Sequence, residues 1–234
     1  MLIYAHRGLS GRYPENTLLA FRQALAAGVD GLEFDVHVTS DGVPVVIHDR
    51  DIARTTDGSG NVDEMLLTSV QKLDAGAGER VPTLADVLAL VGDAVHLDIE
   101  IKGLGAERAT LDVLVAFPGA RWAVSSFDWG ILRELHRLDH RAELWPLTRS
   151  VDAALFAIAT DLGSPAVALW TDAFTEASAS ALREAGLRTV IWTVNERAEA
   201  ERVRALGAYA LCTDDPDRIL RSASRTQNAA TQKG

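Results

Sequence analysis

The residues best suited to chemistry are acids spaced two apart. In Gly31-Leu32-Glu33-Phe34-Asp35-Val36 an acid and a large apolar residue alternate. Side chains alternate across a strand, so Glu33 and Asp35 share one side while Leu32, Phe34 and Val36 take the other. The same rhythm returns in His96-Leu97-Asp98-Ile99-Glu100-Ile101-Lys102, with Asp98, Glu100 and Lys102 together. Carboxylates buried without compensation cost roughly several kcal/mol each. Either a lysine or arginine partner or a bound cation relieves that cost. If these segments are neighbouring parallel strands, Glu33, Asp35 and Glu100 converge on one point. Three carboxylates with water and substrate oxygens suit one divalent cation, Mg²⁺ or Ca²⁺, and the absence of a Cys/His cluster disfavours zinc. Lys102 either pairs with an acid or holds a substrate phosphate, and its place at a strand end favours the second role.

Two histidines flank this cluster in sequence. His6-Arg7-Gly8 closes the first apolar run, and His48-Asp49 closes the run that follows Asp41-Gly42. Cleavage of a phosphodiester needs a base for the attacking oxygen and an acid for the departing one, and imidazoles serve as both near neutral pH. The Arg7 guanidinium adds a bidentate phosphate ligand. His37 shares the parity of Glu33 and Asp35 and is a weaker candidate. His96, His136 and His140 read as structural or exposed.

Positioning such residues requires strands that end at one place. Apolar, β-rich runs occur at Leu2–Ala5, Gly31–Val38, Val95–Ile101, Trp122–Ser125, Ala142–Pro146, Ala166–Trp170, Thr189–Val194 and Tyr209–Thr213. Between them lie amphipathic stretches at Glu15–Ala27, Leu84–Leu90, Gly105–Ala116, Trp129–Leu138, Val151–Ala159, Glu176–Ala185 and Arg197–Leu206, with a short closing turn at Asp217–Arg221. Eight strands alternating with eight helical segments predict a closed (β/α)8 TIM barrel. A doubly wound open sheet fits less well, because no Gly-x-Gly-x-x-Gly follows the first strand. Asp41-Gly42 predicts a small hairpin after the second strand. The irregular stretch from Asp49 to Pro82 is long enough to carry small elements of its own. Residues 1–222 are read as a single barrel domain and 223–234, polar and small, as a disordered C-terminal tail.

With these segments in order, the chain resembles the glycerophosphodiester phosphodiesterases. The segments are His6-Arg7-Gly8, Pro14-Glu15-Asn16-Thr17, Asp30 to Val36, Thr39 to Asp49, Arg54-Thr55-Thr56, Pro82-Thr83-Leu84, Glu100-Ile101-Lys102, Ser125-Ser126-Phe127, Trp192-Thr193-Val194-Asn195 and Thr213-Asp214-Asp215-Pro216. The resemblance implies hydrolysis of a small-molecule glycerophosphodiester to sn-glycerol 3-phosphate and an alcohol. It implies His6 and His48 as the acid/base pair, Glu33, Asp35 and Glu100 as metal ligands, and Arg7 and Lys102 as phosphate contacts. It further implies that Trp192 lines the pocket and that Glu15 orients the N-terminal part of the site. Asp98 departs from the family habit of an uncharged polar residue there.

Composition narrows the partners. A formal net charge of −10 argues against non-specific nucleic-acid binding. One cysteine, Cys212, excludes an intrachain disulfide and lies in an apolar run, as a buried core residue would. No apolar run approaches the roughly 20 residues of a membrane span, and the first residues lack a basic n-region, so a cytoplasmic protein is expected. The oligomeric state is not legible. Two rivals remain. A barrel lyase or lysophospholipase-D-like enzyme acting on longer lipids calls for an apolar mouth, whereas the stretch after Asp49 is polar. A non-catalytic metal-binding barrel would have lost a histidine or a metal acid, and all are present.

Overall fold

In a computed structural model, whose described residues are 1–220, the apolar runs pair edge to edge. The order along the chain is β1 (Leu2–His6), α1 (Leu18–Ala27), β2 (Gly31–Val38), β3 (Pro44–Val46), α2 (Leu67–Val70), α3 (Leu84–Val91) and β4 (His96–Ile101). It continues as α4 (Glu107–Val115), β5 (Arg121–Ser126), α5 (Trp129–Leu138), β6 (Leu144–Thr148) and α6 (Ala153–Leu162). The last elements are β7 (Ala166–Trp170), α7 (Glu176–Glu184), β8 (Arg188–Trp192), α8 (Arg197–Ala205) and β9 (Ala210–Thr213), before a final helical turn over 216–220. Eight strands run parallel in the order β1-β9-β8-β7-β6-β5-β4-β2, and a β1–β2 pairing closes the ring. This is the (β/α)8 barrel expected. The expected hairpin is β2 with β3, paired antiparallel outside the ring, and Gly42 turns it at φ 80°.

Alternation sorts each strand. Leu32, Phe34 and Val36 of β2 and Leu97, Ile99 and Ile101 of β4 belong to the large apolar layer that packs under the helices. Their alternate neighbours face the barrel interior. On β5 to β9 these are small or apolar: Ala123, Trp145, Leu147, Ala166, Ala168, Val190, Ala210 and Cys212 cluster with Tyr4 of β1. Cys212 is thus buried as expected. At the base of the interior, Tyr4, His96 and Trp145 stack and meet edge-on, with ring centres 5.5 to 6.4 Å apart. His96 therefore has a packing role, and its Nδ1 lies 3.0 Å from the Tyr4 hydroxyl.

Several boundaries move for local reasons. Helix α1 starts at Leu18 and not at Glu15, because Asn16 sits at φ 59° and Thr17 accepts from the Ala20 amide as N-cap. Helix α6 begins after Asp152, whose carboxylate accepts from the amides of Ala154 and Leu155. Strand β6 starts two residues late because Ala142 is spent on a turn, its amide bonding to the Asp139 carbonyl. The long stretch after Asp49 is ordered: two 3₁₀ turns and α2 enclose a satellite core of Val45, Ile47, Ile52, Val62, Val70, Ala75 and Val81. The expected C-terminal tail lies outside the described residues. Among those described, no helix is long and apolar enough to cross a membrane.

Glycine at position 31 is a packing requirement. It pairs with Tyr4, and a Cβ there would lie 2.4 Å from the edge of the buried Tyr4 ring. Gly31→Ala is expected to cost about 1–3 kcal/mol through overpacking, read by urea unfolding. A loss below about 0.5 kcal/mol would show that the ring moves freely, and with it the packed base of the barrel.

Candidate active site

Three neighbouring strands supply the acids. The register sets His6 beside Glu33, Glu33 beside Asp98, and Asp35 beside Glu100. One oxygen from each of Glu33, Asp35 and Glu100 lies within 4.8 Å of the others, and all three residues are buried. Strand alternation alone therefore brings together the carboxylates singled out from the sequence.

The partners of these acids come from the turn after β1. Arg7 stands at φ 57° and Asn16 at φ 59°; the Arg7 amide bonds to the Glu33 carbonyl, and the Asn16 amide to the Arg7 carbonyl. Gly8 permits this fold-back: it sits at φ 81°, and a Cβ there would strike the Ala20 backbone at 2.8 Å. The turn aims two side chains at Asp35. Asn16 Nδ2 donates to Oδ2 at 2.9 Å, and Arg7 Nε lies 3.2 Å from the same oxygen. Asp35 Oδ1 has no hydrogen bond, its nearest cation being Lys102 Nζ at 3.5 Å. Lys102 donates instead to Glu100 Oε1 at 2.7 Å. Lys102 is thus an acid partner that also stands at the cavity wall.

The electrostatics follow from that inventory. Burial alone would push Asp35 up, but Arg7 and Lys102 outweigh it and hold the carboxyl down at about 2. Burial and the Asp35 charge push Glu100 up to about 8, and they drive Glu33 well above its ordinary range. Burial likewise raises Asp98 to about 7. Counted as fully ionised, the three acids carry one more negative charge than Arg7 and Lys102 offset, and the raised Glu33 and Glu100 reflect burial and that surplus. Clustered carboxylates, excess negative charge and an orphaned buried oxygen on Asp35 fit a hard divalent cation.

Each flanking histidine is backed by a carboxylate. His6 Nδ1–H donates to Asp214 Oδ1 at 2.6 Å, leaving Nε2 3.8 Å from Glu33. Asp214 is itself fixed by Asn195 Nδ2 at 2.6 Å and Ser10 Oγ at 3.2 Å. His48 Nδ1–H donates to Asp49 Oδ1 at 2.6 Å, and Lys102 Nζ reaches its Nε2 at 3.1 Å. Burial lowers the His48 pKa, against the pull of Asp35. Asp49 pairs with Arg54, Arg54 with Glu15, and Glu15 with Arg7. Glu15 is therefore a bridge between two arginines and does not start a helix. His37 donates Nε2–H to the His48 carbonyl at 3.1 Å and steadies that loop. His136 and His140 touch each other at and beyond the end of α5 and take no part.

One cavity joins these groups, about 560 Å³ counting its open mouth. Its polar wall is His6, Arg7, Glu33, His48, Asp98, Glu100 and Lys102; Phe127, Leu147, Arg149, Trp192, Thr193 and Cys212 form the rest. Trp192 lines it as expected, with a buried Nε1–H that has no partner. Asp35, fully buried, and Glu15 are not among its lining residues. Sequence reasoning passed over Asp214, Asn195, Asp49, Arg54 and Asn16 as site residues. The first carried a usable signal: in a closed barrel the last strand neighbours the first, so a polar residue just past β9 must meet the end of β1.

Comparison with known proteins gives the family and the fold. Residues 6–218 match the profile of the glycerophosphoryl diester phosphodiesterase family. A glycerophosphodiester phosphodiesterase of Caldanaerobacter subterraneus subsp. tengcongensis is 33% identical, over 94% of this chain and 96% of its own. A phosphodiesterase of Oleispira antarctica, solved with the product sn-glycerol-3-phosphate, superposes with a TM-score of 0.91 at 27% identity, over 96% of this chain and 97% of that one. The glycerophosphodiester phosphodiesterase of Agrobacterium tumefaciens gives 0.83 at 25% identity, over 94% and 98%. A profile spanning the barrel from the first site histidine to beyond Asp214, with relatives matched end to end, places the chain in the glycerophosphoryl diester phosphodiesterase family.

Proposed function

We propose that this chain hydrolyses glycerophosphodiesters to sn-glycerol 3-phosphate and an alcohol, with one divalent cation, Mg²⁺ or Ca²⁺, held by Glu33, Asp35 and Glu100. The observation that carries the reading is a cluster of three carboxylates, two of them on the wall of one cavity, beside two carboxylate-backed histidines on the same wall. When bound, such a cation neutralises phosphoryl charge and makes a nearby hydroxyl more acidic. The protein's own groups do the rest. Arg7 and Lys102 face the phosphate as positive charges, and the histidines move protons.

The substrate supplies a nucleophile of its own, the hydroxyl beside the phosphorylated carbon. One histidine Nε2 accepts its proton as the oxygen bonds to phosphorus; the bond to the departing alcohol breaks, and the other imidazolium protonates that oxygen. A cyclic phosphate remains. Water then opens it with the proton roles reversed, returning both histidines to their starting states. Intramolecular attack needs no positioned water and gains from effective concentration. Asp214 and Asp49 hold the Nδ1–H of each ring, so Nε2 is the nitrogen that takes up a proton on one histidine and gives one up on the other, and the Lys102 contact to His48 Nε2 at 3.1 Å has to yield to substrate.

A second reading, the same chemistry on a lysophospholipid, draws on one feature. Leu104, Phe127 and Trp170 are exposed in segments following β4, β5 and at the end of β7, so the mouth is more apolar than the stretch after Asp49 suggested. Assays therefore include an acylated and an unacylated diester, with glycerol 3-phosphate or its acylated counterpart as readout.

Chelation is expected to abolish turnover and Mg²⁺ or Ca²⁺ to restore it; full activity in protein shown metal-free by elemental analysis would remove the metal from the mechanism. His6→Ala and His48→Ala are each expected to lower kcat by about 10²-fold or more in a folded barrel, while His136→Ala changes little. Equal losses in all three would displace the histidine assignment. An unactivated analogue lacking the vicinal hydroxyl is expected to bind but turn over very slowly. Turnover at the parent rate would rule out the cyclic route and leave the metal and histidine roles standing.

A further inference from the structure

The aromatic end of the cavity surrounds a positive charge that belongs to the protein itself. Arg149, just past β6, places its guanidinium carbon 5.8 Å from the Phe127 ring centre, 5.8 Å from Trp170 and 5.9 Å from Trp192. Phe127 and Trp192 meet edge to face at 5.5 Å. Four successive strands thus build this cluster, with Phe127 just past β5, Trp170 at the end of β7 and Trp192 at the end of β8. Aromatic faces gathered around one cation are the arrangement that recognises a quaternary ammonium ligand. Here the cation's place is already filled.

The charge of Arg149 is also uncommitted. Arg7 and Lys102, at the acid end, are tied to carboxylates. Among the described residues Arg149 makes its ring contacts and no hydrogen bond or ion pair, and it is exposed. A guanidinium held in place by rings, with its N–H donors free, is an anion receptor.

A diester bound with its phosphate between the histidines has two substituents, and the cavity leads one of them to this cluster. Building on the proposed hydrolysis, we infer that Arg149 selects the substrate by the charge of its alcohol. It favours diesters whose alcohol bears an anionic group, such as a carboxylate or a further phosphate, and disfavours alcohols that bear only an ammonium group. The basis is twofold. An anionic group meets free guanidinium donors, whereas an ammonium group meets a like charge on the aromatic faces it would otherwise use.

Glycerophosphoserine and glycerophosphoethanolamine test this directly, since they differ by one carboxylate. A unit charge beside a solvent-exposed cation changes kcat/KM by up to about fivefold. The wild-type preference for the serine diester is accordingly expected near fivefold. Arg149→Lys should retain most of it, Arg149→Gln should bring it to about one, and Arg149→Glu should reverse it. Raising the ionic strength should shrink the wild-type preference and leave that of Arg149→Gln unaltered. Because the readout is a ratio within one enzyme, a general loss of activity cancels. Turnover of both diesters with ratios in the Gln and Glu variants within twofold of wild type would overturn this inference alone. Absence of turnover of every diester, including glycerophosphoglycerol with its uncharged alcohol, would overturn the functional reading and this inference with it.

Discussion

Mutual repulsion among buried carboxylates governs the polar half of this barrel. Two unit charges about 4 Å apart interact by roughly 4 kcal/mol at an effective dielectric near 20, and here Asp98 stands just below a cluster of three acids. The fold answers on several fronts. A left-handed turn brings Arg7 and Asn16 onto Asp35, while Lys102, two residues after Glu100, folds back onto its carboxylate. That answer is incomplete in charge and in hydrogen bonds, and the incompleteness suits the cluster to the divalent cation proposed for it. A fully neutralised cluster would be an ordinary buried ion-pair network.

The barrel separates its stabilising and chemical halves along the strand axis. Tyr4, His96 and Trp145 fill the lower interior, and alanines on β5, β7 and β9 let those rings in. The acids and His6 occupy the upper rungs of β1, β2 and β4. The same strands serve both halves, since on β4 His96 packs below while Asp98 and Glu100 point into the site. The insertion after β2 carries His48 on a satellite core of its own, so one histidine belongs to the ring and the other to an appended element.

How much of this was legible in sequence depends on the range of the interaction. Period-two alternation in β2 and β4 is a local property, and it named Glu33, Asp35 and Glu100 together with their common side. The turn at Asp41-Gly42 was legible for the same reason. The Asp214 contact to His6 spans 208 residues and depends on ring closure, which no local pattern encodes. Arg54 stood in a matching segment and on a polar stretch but without a role, because its link from Asp49 to Glu15 exists only once the insertion folds over α1's entrance. A helix start slipped at Asn16 and a strand start at Ala142, where a turn residue resembled its neighbours in composition. Arg149 left no trace, since an arginine after a strand is common and its three aromatic neighbours come from three other strands.

The pairing of His6 with Asp214 makes the site a seam. Strand β1 leaves the ribosome first and β9 last, and the pair that positions one imidazole joins them. A nascent or truncated chain without β9 holds the acids of β2 and β4 but lacks the carboxylate that orients His6. The orientation of that imidazole is thereby tied to completion of the ring, as a clasp works only when both ends of the band are brought together.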